Sequence, residues 1–165
     1  MDWWKLLSRK CRTWSQLSCW EKTLFWQALA LLVAVRGLLP LLGLKATARW
    51  LSCWLTAPPI QTVDETGARA IARQCQLAAR YTRTGNCLQR SLVLHCLLRS
   101  RGIESELRLG VRRASAQFQA HAWVESGDAV LNDTPEAVSA YAAFGSRPGI
   151  SWFRTAAKDR GLAQF

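Results

Sequence analysis

The segment 84–102 constrains the fold most, because it reads as one helix with clear signals at both ends. Thr84 and Asn86 are residue types that cap helix N-termini, and Gly102 follows a basic last turn, as is typical of a helix end. Leucines recur between these ends at helical spacing. Cys87 is therefore expected in the first turn, where unpaired N–H groups and the positive end of the helix dipole stabilise a thiolate.

The Cys87 thiol has two interpretations at this position. A free cysteine often packs as a small apolar side chain, whereas a thiolate at a helix start is a nucleophile. A nucleophile needs a base, and the chain has two histidines. His95 lies further along the same helix, about 12 Å up the axis at 1.5 Å per residue, so it cannot reach Cys87. We expect His95 to be a packed or surface residue.

His121 is the candidate base. It lies in Phe118–Glu125, a segment with the composition and length of a β-strand. Ala120 and Ala122 on either side leave the imidazole unobstructed. A single histidine on a strand is often structural, and the thiol upstream is the feature that favours a catalytic role.

Asp133 is the candidate for the third group. A three-residue hairpin loop, 126–128, would pair strand 129–133 with the preceding strand and bring Asp133 opposite His121, at about 5 Å. Asp133 could then hold one ring nitrogen while the other faces the thiol. A two-residue loop would instead leave Asn132 closer, and a solvated strand end is a further interpretation of Asp133. We favour Asp133 with both alternatives open.

Four segments of the chain closely resemble one family: Asn86–Leu92, Leu97–Ile103, Leu107–Arg112 and Ala120–Glu125. The family is the transglutaminase-like cysteine peptidases of lasso-peptide biosynthesis, the protease half of the B proteins. The resemblance runs from about residue 84 to residue 133. It implies an enzyme that cuts the leader from a ribosomally made precursor peptide, after which a separate ATP-using cyclase closes the macrolactam ring. The catalytic residues that it implies are Cys87, His121 and Asp133.

On this interpretation, the backbone N–H of Cys87 is the expected oxyanion donor, because it lies at a helix start. Asn86, Arg112 and Trp123 are the candidates for the substrate groove, and Arg112 ends the strand that precedes the histidine strand. The same three catalytic groups also serve acyltransferases and amidases, so such an enzyme is one alternative function. A non-catalytic basic protein that binds a membrane or a partner is the other.

The order of elements predicts an α+β protein, with helices segregated from an antiparallel sheet. The resemblance implies a transglutaminase-like (papain-like) core, in which a central nucleophile helix packs on a small antiparallel sheet. We assign this core to residues 61–165 and a tryptophan-rich helical region to residues 1–60. The remaining predicted elements are a helix at Asp64–Arg80 and strands near Glu104–Arg113, Gln117–Ser126 and Ala129–Asp133.

The N-terminal region contains a helix that is apolar on nearly all sides. Its uncharged run before Arg36 is shorter than the roughly 20 residues that a transmembrane helix needs, and Gly37, Pro40 and Gly43 are expected to kink or end it. Such a helix must be covered by the core, a partner or a membrane, and we favour the core or a partner. Peripheral membrane contact stays an alternative, because tryptophans such as Trp3 stand near basic residues.

The formal net charge of +11 indicates an anionic partner. The arginines are scattered and no nucleic-acid motif is present, so we expect no nucleic acid and instead an acidic leader peptide or its carrier. A solvated face that maintains solubility is the alternative interpretation of the charge. The six cysteines contain no Cys-x-x-Cys pair, which favours a reduced, cytoplasmic protein without a metal or another cofactor.

The sequence also makes a prediction about partners. Some relatives carry a leader-recognition domain ahead of the protease, but residues 1–60 lack the alternating strands that such a domain needs. We therefore expect a separate small recognition protein that binds the leader by adding it to its own sheet. The aromatic N-terminal helices are the candidate surface for docking this protein or the cyclase.

Overall fold

The computed structural model describes residues 17–54, 65–82, 86–114 and 117–144, which form helices around a small sheet. The helices are α1 (Cys19–Trp54), α2 (Glu65–Thr82), α3 (Cys87–Arg99) and α4 (Pro135–Ser139). The strands are β1 (Glu106–Ala114), β2 (Gln117–Ser126), β3 (Ala129–Val130) and β4 (Ala142–Ala143). They form one antiparallel sheet in the order β3-β2-β1-β4. The predicted α+β class is confirmed, as is an apolar helix that precedes the core.

Helix α1 is one long element with a single break in its backbone. Ser18 and Glu21 cap its start reciprocally, since each side chain accepts the other residue's backbone N–H at 3.0–3.2 Å. Gly43 has a φ of +74° and a ψ of 173°, which is not helical and is favourable only for glycine. Of the three predicted kink positions, Gly43 is therefore where the helical geometry is interrupted, while Pro40 stays inside the helix.

The hydrophobic core lies between the three long helices and one face of the sheet. Side chains of α1 at helical spacing are buried in it: Leu24, Ala28, Leu32 and Val35. They share one cluster with Ile71 of α2, Leu92 of α3 and Val124 of β2. Part of the apolar N-terminal helix is thus covered by the chain's own core, which was one of the favoured alternatives.

The opposite face of α1 is exposed and still apolar, with Trp26, Val33 and Leu41 in solvent. Within the described ranges, Cys19–Ser52 is long and apolar enough to cross a membrane, by length and composition alone. Core helices of soluble proteins meet the same criteria. The predicted boundary at residue 60 and the tryptophan at position 3 lie outside the described residues.

The β2–β3 hairpin differs from the prediction. Its loop has two residues, Gly127 and Asp128, because Glu125 pairs with Val130 and Ser126 with Ala129. Gly127 has a φ of +56°, which supplies the left-handed backbone that tight hairpin turns require. The predicted three-residue loop is therefore wrong, and β3 ends at Val130 rather than at residue 133.

Candidate active site

Cys87 begins helix α3, as its sequence context predicted. Asn86 is the N-cap, and its Oδ1 accepts the backbone N–H of Leu88 at 3.0 Å. The Cys87 Sγ lies 4.0 Å from the same oxygen and is partly exposed. The N–H of Cys87 donates to no residue in the described part of the chain. An N–H without a partner among the described residues, next to an accessible thiol, is the local arrangement that an oxyanion donor and a nucleophile require.

Two other cysteines show what a purely structural thiol looks like in this fold. Cys75 and Cys96 are both buried in the core, and burial raises the pKa of each thiol to about 12. Such thiols stay protonated at neutral pH and are inert as nucleophiles. Cys87 differs from them in lying at a helix start with part of its surface in solvent.

His121 and Asp133 lie together in the structure. Nε2 of His121 and Oδ2 of Asp133 are 2.5 Å apart, and the second carboxylate oxygen, Oδ1, accepts the N–H of Thr134 at 2.9 Å. Thr134 in turn caps helix α4 by accepting the N–H of Ala137. The carboxylate is thus fixed at both oxygens, and the Nδ1 atom of His121 is left for another partner.

The contact between His121 and Asp133 forms although the predicted register is wrong. Continuing the observed pairing would place Asp133 opposite Ala122, with its side chain on the other face of the sheet from His121. The chain instead leaves the ladder after Leu131, and the Oδ1 atom of Asn132 accepts the N–H of Val124 at 2.8 Å. This side-chain hydrogen bond takes the place of a backbone hydrogen bond between β2 and the chain after β3, and it lets Asp133 turn toward the imidazole.

Helix α3 runs alongside β2, which gives the position of Cys87 along the strand. Ser91 Oγ donates to the carbonyl of Ala122 at 2.8 Å, and His95 Nδ1 lies 3.0 Å from Oγ of Ser105, which precedes β1. Cys87 is one turn before Ser91, about 6 Å back along the helix, which equals nearly two strand residues of about 3.3 Å. Cys87 is therefore about level with Ala120, the neighbour of His121.

The structure shows no hydrogen bond between the Cys87 thiol and the His121 ring. Alternation along β2 explains the separation. Ala122 and Val124 belong to the face that packs on the helices, so His121 points to the other face. A proton transfer between thiol and imidazole in this arrangement would have to pass around the outer edge of β2. Catalytic hydrogen bonds are often long without substrate and shorten when it binds.

An aromatic cluster surrounds the His121 ring on its own face of the sheet. The Tyr141 ring centroid is 5.0 Å from that of His121, and the Trp123 centroid is 6.1 Å away in a stacked arrangement. The Arg112 guanidinium covers Tyr141 at 4.9 Å from its centroid. A Cβ at Gly110 would lie 2.9 Å from Trp123 atoms, so the glycine makes room for this cluster.

The three predicted groove residues have different environments. Asn86 is exposed at the helix start beside the thiol, and Arg112 is exposed and donates from Nε to Gln119 Oε1 at 2.9 Å. Both stay groove candidates. Trp123 is only 3% exposed and donates to Glu125 Oε1 at 2.7 Å, so it supports the His121 ring from within the fold.

Two features near His121 were missed from the sequence. Tyr141 lies in a segment after Pro135 whose spacing gives no periodic signal, so only the fold brings it to the imidazole. Ser91 resembles any small polar residue on a helix, yet it is fully buried and bonded to β2. His95, by contrast, is packed as expected. Burial, followed by the nearby charge of Arg99, lowers its pKa to about 4.

The chain is similar to known proteins over parts of its length. A curated relative, the microcin J25-processing protein McjB of Escherichia coli, is 44% identical over 50 residues. That match covers 30% of this chain and 23% of McjB, less than a quarter of that protein's length. No solved structure matches the chain significantly. A family model described as the transglutaminase-like superfamily matches residues 29–145, more than half of the sequence. The chain therefore belongs to the transglutaminase-like superfamily.

Proposed function

We propose that this chain is a cysteine peptidase that removes the leader from a ribosomally synthesised lasso precursor peptide. The observation that carries the proposal is the His121–Asp133 hydrogen bond on β2, together with a partly exposed Cys87 at the start of the helix that packs on the same strand. Membership of the transglutaminase-like superfamily and similarity to a microcin J25-processing protein support a role in peptide maturation.

The first half of the reaction forms an acyl-enzyme. His121 takes the thiol proton through Nδ1, and the Cys87 sulfur attacks the carbonyl carbon at the leader–core junction. The carbonyl oxygen gains the negative charge and accepts the free N–H of Cys87 at the start of α3. The C–N bond then breaks, and His121 returns the proton to the departing amine. A thioester between Cys87 and the leader remains.

The second half releases the leader by hydrolysis. His121 takes a proton from water, whose oxygen attacks the thioester carbonyl. The C–S bond breaks, the leader leaves with a new carboxyl group, and His121 returns the proton to the Cys87 sulfur, which restores the thiol. Asp133 keeps the ring oriented throughout and stabilises the imidazolium that forms in both halves.

The proposal includes partners of defined chemistry. The substrate is the leader–core precursor peptide, delivered in the cytoplasm by a separate small recognition protein, and the product passes to an ATP-dependent lasso cyclase. The net charge of +11 supports capture of an acidic leader. Rising salt should weaken such capture, because it screens exposed charges beyond about 10 Å at 0.1 M. Unchanged affinity would contradict the electrostatic part.

The experiment compares Cys87→Ala with a second cysteine variant. Each purified chain is incubated with precursor peptide and recognition protein, and the products are identified by mass spectrometry. Cys87→Ala should abolish leader removal while the circular dichroism spectrum stays that of the wild type. Cys19→Ala is the matched control, because Cys19 is an exposed free thiol at the start of α1 and should be dispensable.

The outcome also separates the alternative activities. Substantial cleavage by Cys87→Ala would refute the assignment of the nucleophile. Transfer of the acyl group to added small amines, with no free carboxyl product, would indicate an acyltransferase on the same fold. If Cys87 reacts with iodoacetamide no faster than the buried Cys75 and Cys96, a non-catalytic scaffold becomes the better interpretation.

A further inference from the structure

The outer edge of β2, on the side away from β1, is paired along only part of its length. β1 pairs with the whole of β2, from Gln117 to Ser126. β3 pairs with the outer edge only at Glu125 and Ser126. In the described ranges, no strand lies beside the outer edge from Gln117 to Ala122.

Every second residue of β2 directs its backbone groups toward this outer edge. Val124 does so, because its carbonyl accepts the N–H of Leu131 at 3.0 Å and its N–H donates to Asn132 Oδ1 at 2.8 Å. The direction alternates along an antiparallel strand. The other residues that direct their groups to the outer edge are therefore Ala122, Ala120 and Phe118.

The backbone groups at Ala120 and Phe118 are open. The carbonyl of Ala122 already accepts the Ser91 hydroxyl, but the N–H and C=O of the next two outward residues bond to none of the residues described. Natural edge strands are usually protected by charged residues, proline or a bulge. Gln117–Ala120 contains no charged residue and no proline, so this edge can accept another strand.

The open edge begins where the candidate active site begins. The side chain of Asn132 makes the last bond between this edge and the chain that follows β3, and the chain then turns so that Asp133 reaches His121. The edge continues from there to Ala120, which is about level with Cys87 by the helix and strand rises. A chain added to this edge would therefore run directly to the thiol.

We infer that the substrate peptide binds as an added β-strand on the outer edge of β2, pairing with the backbone of Ala120 and Phe118. This inference rests on the proposed function and assigns it a binding subsite. The ligand class is an extended peptide recognised through its main chain, with its scissile carbonyl at the end of the added strand beside Cys87. Ala120 and Ala122 leave room because their side chains are small.

Systematic N-methylation of the substrate tests this inference without altering the protein. The probes are fluorescent peptides that span the leader–core junction of a lasso precursor peptide, each with one methylated amide. Binding is measured on full-length Cys87→Ala by fluorescence anisotropy, so that no peptide is cut. Strand addition predicts weaker binding, by about tenfold, at every second amide, because alternate N–H groups face the sheet. Equal tolerance at all positions, or no binding of the unmethylated peptide, would overturn the inference.

A variant pair tests the protein side of the same contact. Ala120→Pro removes an outward N–H without taking a rung from the β1–β2 ladder, because Ala120 donates nothing to β1. Ala120→Ser keeps the N–H and is the matched control. We expect the dissociation constant of Ala120→Pro to lie about threefold to tenfold above that of Ala120→Ser, the range of one lost hydrogen bond. Equal affinity of both variants would count against the subsite.

The two measurements distinguish failure of the subsite from failure of the proposed function. Alternating sensitivity to N-methylation without any cleavage by the wild-type chain would support the binding edge and refute the peptidase. Cleavage that depends on Cys87, together with binding that does not depend on the methylation pattern, would support the peptidase and refute the binding edge. If the edge instead binds a strand of the recognition protein, that protein will lose affinity for Ala120→Pro while the peptide does not, which overturns the substrate assignment.

Discussion

Ser91 and Asn132 join the elements that carry the proposed catalytic residues. Nδ2 of Asn132 donates to Oγ of Ser91 at 2.7 Å, and that hydroxyl donates to the carbonyl of Ala122 at 2.8 Å. Oδ1 of Asn132 accepts the N–H of Val124. Helix α3, strand β2 and the segment after β3 are thereby linked through one hydroxyl, which is fully buried.

Ser91→Ala should therefore affect both stability and cleavage. The change leaves the amide of Asn132 and the carbonyl of Ala122 without this partner inside the fold, which costs about 1–3 kcal/mol. Because α3 and β2 are then less firmly aligned, we also expect kcat to fall by up to about 100-fold, the effect of a misplacement near 1 Å. Urea unfolding and cleavage kinetics measure the two effects.

Ser52→Ala is the matched control for this change. Among the described residues, the Ser52 hydroxyl donates only to the carbonyl of Ala48 within α1, at 2.9 Å, so its loss should change the free energy of unfolding by no more than about 0.5 kcal/mol. Similar losses of stability and kcat in both serine variants would show that the Ser91 network does not align the site.

Gly110→Ala should disturb the aromatic cluster under His121. The new Cβ would lie 2.9 Å from two ring carbons of Trp123 and 3.0 Å from the Cβ of Tyr141, closer than such atoms approach. Overpacking of this kind costs about 1–3 kcal/mol, measurable as a lower urea midpoint. Gly37→Ala in α1 is the control, because nothing lies within 4 Å of its Cβ and alanine favours a helix. An unfolding curve for Gly110→Ala like that of the wild type would contradict the close packing.

The sequence located the candidate residues better than it located their register. Cys87 could be placed because helix caps are local signals, and His121 because strand composition is also local. The loop length was wrong because a single residue decides it, and Asp133 nevertheless lies beside His121 because the chain leaves the sheet before that residue. The hydrogen bond between the Asn132 side chain and the Val124 N–H depends on tertiary contact and has no signal in the sequence.

The bounds of helices and strands could likewise be predicted only where the sequence carries a local signal. The second helix was expected at Asp64–Arg80 and is found at Glu65–Thr82, since amphipathic spacing determines it. The short strand β4, which pairs with β1 at Gly110 and Val111, was not predicted, because two alanines carry no strand pattern. That pairing is also what brings the neighbouring Tyr141 to the histidine.

Tyr141 is expected to position the imidazole through its ring rather than its hydroxyl. Tyr141→Phe keeps the ring against His121 and should cut at a rate close to that of the wild type. Tyr141→Ala removes one wall of the imidazole, so we expect kcat to fall by about tenfold or more with little change in KM. Trp26→Ala is the control, because Trp26 packs against Phe25 with ring centroids 5.5 Å apart on α1, which carries none of the proposed catalytic residues. A fall in kcat for the control as large as that for Tyr141→Ala would indicate only a general loss of packing.

His95 should make the protein less stable in acid without taking part in catalysis. Its folded pKa of about 4 lies below the ordinary value of 6.5, mainly because the ring is buried and secondarily because of the charge on Arg99. The unfolded chain therefore binds a proton first as the pH falls. The stability that neutral His95 contributes is fully present above pH 6.5 and is lost progressively between pH 6.5 and 4.

His95→Gln removes this titration. As the pH falls from neutral to the lower end of that window, the free energy of unfolding of the wild type should drop by about 2–3 kcal/mol more than that of the variant. The gap between the two therefore changes with pH, at about 1.4 kcal/mol per pKa unit. Urea unfolding at both pH values measures the gap, and leader cleavage by folded His95→Gln should stay near that of the wild type. A gap independent of pH would show that burial does not hold the ring neutral. An inactive but folded His95→Gln would assign the catalytic base to His95 instead of His121.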